Sequence, residues 1–249
     1  MTINKLKLNT DKTEFLIISS KTRRKPVPEI SLDLGGIFVQ PSIHARNLGV
    51  HIDSHFSLNV HVTNVIKSCY ISLRNINSIR PYLTQAAAET VVHAFISSRL
   101  DFCNSLFIGL PAYTIKRLQK IQNAAAKLTT CCRSRFVHVT PILRELHWLP
   151  VASRIEFKVL VLTHRCIYGS APNYLSNAIV IKKANVNTRS STTLSLTIPR
   201  SRGVMYSKRS FRIAAPMLWN ALPKDLKHIN VFETFKNHLK TFLFNKYFC

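Results

Sequence analysis

At 249 residues, 46% of them apolar, the chain is long enough to bury a core, which excludes wholesale disorder. Thirty-five Lys and Arg against eleven Asp and Glu leave a formal net charge of +24. Cations this numerous repel one another unless an anionic partner neutralises them. Because they are spread along the chain and not gathered beside an apolar anchor, nucleic acid is the expected partner and a membrane surface is not.

The chain opens with polar residues 9–11 ahead of FLII (15–18), expected as a buried strand. KTRRKP (21–26) is a basic loop kept extended by Pro26 and Pro28; such a cluster is either a nuclear-import signal or an ordinary surface loop. ISLDLGGIFVQ (30–40) alternates apolar and polar residues around Gly35-Gly36, whose tolerance of positive φ suits a two-residue hairpin turn. ARNLGVHID (45–53) reads as a further strand, which makes residues 1–56 a small β unit.

Beyond it the period changes. Leu58, Val62, Val65, Ile66, Cys69, Leu73, Ile76 and Leu83 recur at three- and four-residue steps, the spacing of an amphipathic helix that Pro81 breaks. Thr84 is positioned to cap a second helix through alanines 86–88, Val91, Val92, Phe95 and Ile96. Gly109 and Pro111 punctuate before a third helix over 112–130. At about 100° per residue, Ile115, Leu118, Ile121, Ala125 and Leu128 share one side of it. Lys116, Arg117, Lys120 and Lys127 fall within an arc of about 100° on the other, with no acid among them. That arc is either a phosphate-binding surface or a solvated helix face, and the overall charge gives weight to the first.

TPILRELHWLP (140–150) carries a helical cap and a proline at the first helical position. VASRIEFKVLVLTHRCIYG (151–169) is an apolar helix closed by Gly169. Residues 182–203 lose periodicity and are expected to be a flexible stretch. RSFRIAAPMLWNALP (209–223) and a last helix, FETFKNHLKTFLF, complete an α+β fold that is mainly α.

Other chemistry is thinly represented. His51 and His55 are four apart with His61 beyond, but His51 falls in a strand and no third ligand keeps spacing with the pair. Cys131, Cys132 and His138 lack the Cys-x-x-Cys core of a zinc knuckle, and nothing orients Cys103, Asp101 and His93 as a thiol enzyme. Trp148 and Trp219 sit in apolar motifs that suit core anchors better than base-stacking platforms. The six cysteines show no framework spacing, no apolar run approaches the ~20 residues of a bilayer span, and the first twelve residues lack the apolar stretch of a secretory signal. A nuclear or cytoplasmic location is expected.

Seven segments, in order, carry a family resemblance: NKLKLNTDKTEFLIISSK, ARNLGVHID, KSCYISLRNINSIRPYL, VVHAFISSRLDFCNSLFIGLP, LQKIQNAAAKL, HVTPILRELHWLPVASRIEFKVLVLTHRCIYGSAPNYL and APMLWNALP. Together they resemble the reverse transcriptase of LINE-type (non-LTR) retrotransposons of the Jockey superfamily, in the portion downstream of the catalytic centre. The resemblance implies a palm remnant with a primer-grip hairpin over 1–56, a helical thumb over 57–130, and the family's C-terminal region over 131–249. It places Lys12, in an Asn-x-x-Lys-Thr signature, near the incoming nucleotide's phosphates. It likewise puts Arg46, Asn47, Leu48 and Gly49 at the primer's 3′ end.

In that family two metal ions, held by a Tyr-x-Asp-Asp loop, clamp the attacking and leaving oxygens. No two of the eleven acids here are adjacent and none lies on such a motif, so Met1 falls just past that loop by resemblance. The implied role is binding of an RNA–DNA hybrid, RNA or DNA without polymerisation and without a cofactor, the family's magnesium site being absent. Two other readings stand beside it: a helical protein-interaction module, and a relic of a mobile element with no function.

Overall fold

The computed structural model describes residues 9, 12–19, 30–132, 134, 136–182, 194–200 and 209–249. It divides into two compact units, residues 1–65 and 66–249, with the long helix α1 (Asn59–Ile79) running from the first into the second. The fold is α+β and mainly α, as the change of period in the sequence requires.

In the first unit β1 (Phe15–Leu16) pairs in parallel with β4 (Pro41–Ser42), and β2 (Leu32–Asp33) pairs with β3 (Phe38–Val39) in an antiparallel hairpin. Gly35 and Gly36 hold φ of 75° and 94° at its tip, and Asp33 accepts the Gly36 N–H at 2.7 Å, so the expected Gly-Gly turn is present. FLII is less than the buried strand expected: β1 is only two residues long, Phe15 and Leu16 are half-buried, and Ile18 is exposed. ARNLGVHID departs from the single strand that its local pattern suggests and has the hairpin form expected of a primer grip. It is two strands, β5 (His44–Asn47) and β6 (Val50–Asp53), folded back on each other with Asn47 opposite Val50. Leu48 and Gly49 make the two-residue turn, both at positive φ, 46° and 85°.

Asp53 ends β6 and starts α1. Its carboxylate accepts the backbone N–H groups of Leu58 at 2.7 Å, Ser57 at 3.0 Å and His55 at 3.3 Å. Desolvation pushes this carboxyl upward, but those hydrogen bonds outweigh it and hold the group below its ordinary range. These donors lie on the turn leading into α1, so one acid both fixes that turn and stands near the positive end of the helix dipole.

In the second unit Thr84 caps α2 (Gln85–Val92), its hydroxyl accepting the Ala87 N–H at 3.2 Å. The helix then widens into a π-helical turn (His93–Ser97) before α3 (Ser98–Asp101) and a 3-10 turn (Asn104–Phe107). Next come α4 (Ala112–Thr129), α5 (Val139–Glu145), α6 (Val151–Ile167) and α7 (Asn173–Ser176). Helix α5 begins at Val139 with no side-chain cap, two residues before the Pro141 start, capped by Thr140, that the sequence suggests. No break in packing falls at residue 130, because α4 packs on both α5 and α6.

Helices α8 (Phe211–Asn220), α9 (Lys224–Lys227) and α10 (Phe232–Phe248) close the core against α6. Leu160, Trp219, Phe235, Leu239 and Leu243 are buried together there. Each such side chain contributes roughly 1.5–3 kcal/mol through burial. Part of the aperiodic stretch joins this core. Leu196 is 2% exposed and bridges to Ile181, while the Asn220 amide accepts its N–H at 2.9 Å and donates to its carbonyl at 2.8 Å. Backbone bonds on either side of that bridge, from Lys182 N–H to the Ser195 carbonyl at 2.9 Å and from Thr197 N–H to the Val180 carbonyl at 2.8 Å, complete the pairing, too short a ladder to leave a period in the sequence. The rest of the expected flexible stretch, 183–193 and 201–203, lies outside the described residues, as does the basic loop 21–26.

Candidate nucleic-acid interface

Helix α4 has one dry face and one cationic face. Leu118 and Ile121 are fully buried, and Ala125 and Ala126 nearly so. Two glutamines fix it further: Gln122 donates to the Leu149 carbonyl at 2.8 Å, and Gln119 accepts the Val151 N–H at 2.9 Å. At its C-terminus Cys131 takes a left-handed φ of 54°, and the Cys132 N–H returns to the Lys127 carbonyl at 2.9 Å. Arg80 completes the cap, donating to the carbonyls of Leu128 at 3.0 Å and Thr129 at 2.8 Å. The helix is thus held along its back and at its end.

Of the four expected cations, Lys116 and Lys120 are exposed and Arg117 is half-buried. Lys127 donates to the Ser134 carbonyl at 3.0 Å, closing the turn after the helix. The cationic face is consequently centred on Lys116 and Lys120. Tyr113 joins them, 60% exposed and on the same arc, so an aromatic ring stands among the cations. Base-binding surfaces combine those two chemistries. The sequence pattern hides Tyr113 because an aromatic residue is neither one of the charges nor part of the apolar stripe that the spacing picks out.

In the first unit Lys12 is exposed, and its signature forms a closed turn: the Asn9 side chain accepts the Lys12 N–H at 3.3 Å, and the Thr13 hydroxyl donates to the Asn9 carbonyl at 2.8 Å. Glu14 accepts the Arg46 N–H at 2.9 Å, anchoring the β5–β6 hairpin. Arg46, Asn47, Leu48 and Gly49 are all exposed, and Leu48 reaches 87% at the tip. An isoleucine, valine or leucine at positive φ is uncommon, and one projecting so far into solvent is a candidate contact residue.

The acids do not gather. Asp33 and Asp53 satisfy turns and the start of α1, Asp101 binds Arg154, Glu233 pairs with Lys236 and Glu156 with Lys246. Among the described residues no group of three or more His, Cys, Asp or Glu is placed to hold a metal ion. The rings of His51 and His61 are 6.5 Å apart, and burial, helped by the charge on His51, lowers the proton affinity of His61. Both tryptophans are core anchors with satisfied indoles: Trp219 donates to the Leu194 carbonyl at 3.2 Å and Trp148 to Glu89 at 3.0 Å. No described helix is long and apolar enough to cross a membrane. Comparison with protein-family models, curated proteins and solved structures finds no match to this chain.

Proposed function

We propose that the chain is the post-catalytic part of a LINE-type (non-LTR) retrotransposon reverse transcriptase, and that it binds template–primer nucleic acid without polymerising. The observation that carries this reading is the acid-free face of α4, where Lys116 and Lys120 follow the exposed Tyr113 at three- and four-residue steps on a helix locked from behind. The exposed Leu48–Gly49 tip, in the segment that resembles the primer grip, supports it independently. The described acids do not fit the two magnesium ions of that family's active site, so no chemical step is assigned to these residues. Such a role belongs in the nucleus or cytoplasm.

The test is Lys116→Glu/Lys120→Glu, read by anisotropy on a labelled RNA–DNA hybrid. Both residues are exposed, so circular dichroism should be unchanged while affinity falls on the order of a hundredfold and the salt slope drops by about two. Unchanged binding would remove the helix face from the account. A second reading, a helical interaction module, is favoured by the exposed Tyr70, Ile71, Phe95 and Phe102. It predicts self-association that salt does not weaken.

A further inference from the structure

The helical unit contains a cavity built without any residue of α4. About 430 Å³ in volume, it is lined from the π-helical turn, the α5–α6 connection, α6 and α10. Leu146, Trp148, Leu149 and Phe157 supply its apolar wall, and the His93 imidazole lies 5.1 Å from the Trp148 ring. Two carboxylates also line it. Asp101 is occupied by the Arg154 guanidinium, whose Nε donates at 2.8 Å, and by the Asn104 amide at 3.3 Å. Glu89 is only half occupied: Oε1 accepts the Trp148 indole and stands 3.4 Å from His93 Nε2, while Oε2 has no donor among the described residues. The charge left over is positive, because Lys158 and Lys240 are exposed and have no carboxylate partner among the described residues.

The backbone around the cavity is unusual as well. His93 opens the π-helical turn, and Cys103, directly before Asn104, holds a φ of 50°. His147, at 53°, stacks its ring 5.6 Å from Phe244. Non-glycine residues at positive φ cost free energy, and both they and π-helical turns concentrate where ligands bind.

We propose that this cavity binds a small phosphorylated ring compound of the nucleoside-phosphate class. The ring lies along the apolar wall and donates an N–H to Glu89 Oε2, and the phosphate is held by Lys158 and Lys240. The volume falls within the roughly 300–1,000 Å³ of small-molecule sites. Bare phosphate leaves the apolar wall unused, and an uncharged nucleoside leaves the lysines unpaired, so neither matches the whole site. This inference does not rest on the proposed nucleic-acid role.

The experiment is calorimetric titration of the full chain with adenosine monophosphate, adenosine and inorganic phosphate. The monophosphate should bind at one site and more tightly than either fragment. Lys158→Ala/Lys240→Ala should weaken it on the order of tenfold or more, whereas Lys116→Ala/Lys120→Ala should not. A diadenylate that binds more tightly still, and loses that binding in the same Lys158/Lys240 variant, would identify a nucleotide carried by a strand as the source. No binding at millimolar monophosphate, binding no tighter than phosphate, or loss through the α4 lysines instead would each overturn the assignment.

Discussion

Leu48 is energetically misplaced for a purely structural residue. It holds a left-handed φ of 46° and buries almost nothing, at 87% exposure. Asparagine accepts that conformation with less strain, and Asn-Gly is the favoured pair for such a turn. Leu48→Asn should therefore raise stability by about 1 kcal/mol in a denaturant titration while weakening nucleic-acid binding. A stabilised variant with full affinity would make the tip a bystander. His164 makes a prediction of another kind. It is 1% exposed, donates from Nε2 to the Ile229 carbonyl at 2.9 Å, leaves Nδ1 without a partner, and stacks 4.2 Å from Phe235. Burial lowers its proton affinity and the carbonyl only partly offsets this. The unfolded chain thus binds a proton that the folded chain refuses. Stability from this group is complete above the ordinary histidine value of 6.5 and is lost as pH falls through it toward the depressed folded value. The urea midpoint should drop between about pH 7.5 and 5.5, and His164→Gln should flatten that drop.

At the scale of elements, the division between cations that hold the fold and cations that face solvent becomes testable. Arg80 caps α4 and also donates to the Leu83 carbonyl at 2.7 Å. Arg80→Ala should cost on the order of 2 kcal/mol in unfolding and leave hybrid affinity nearly unchanged, the reverse of the Lys116/Lys120 substitution. An Arg80→Ala variant of full stability that fails to bind would exchange the two roles. The cap was not readable from the sequence, because Arg80 meets the α4 carbonyls nearly fifty residues away. The local signals were readable: the step from two-residue to three- and four-residue spacing, the Thr84 cap, and the Gly35-Gly36 turn. The second hairpin was expected only through the family resemblance and not from local signals, because Leu48 stands where asparagine would announce a turn. The Lys127 side chain reads as part of a charged stripe until Ser134 folds back to meet it.

For the whole molecule, periodicity and composition fixed the class, α+β and mainly α, but not how its packing divides. The two compact units part at residue 65, inside α1, where an uninterrupted helical pattern gives no signal of a boundary. The cavity was equally invisible, since Glu89, Trp148, Arg154 and Lys240 come from segments that sequence order keeps apart. What the composition does state is the net charge of +24, and the account stands or falls on what neutralises it. The most direct measurement is anisotropy of the full chain on an RNA–DNA hybrid, duplex DNA and single-stranded RNA across a salt series. The account predicts tight binding with a steep logarithmic salt dependence and a preference for the hybrid. Weak binding with no preference among the three would contradict it.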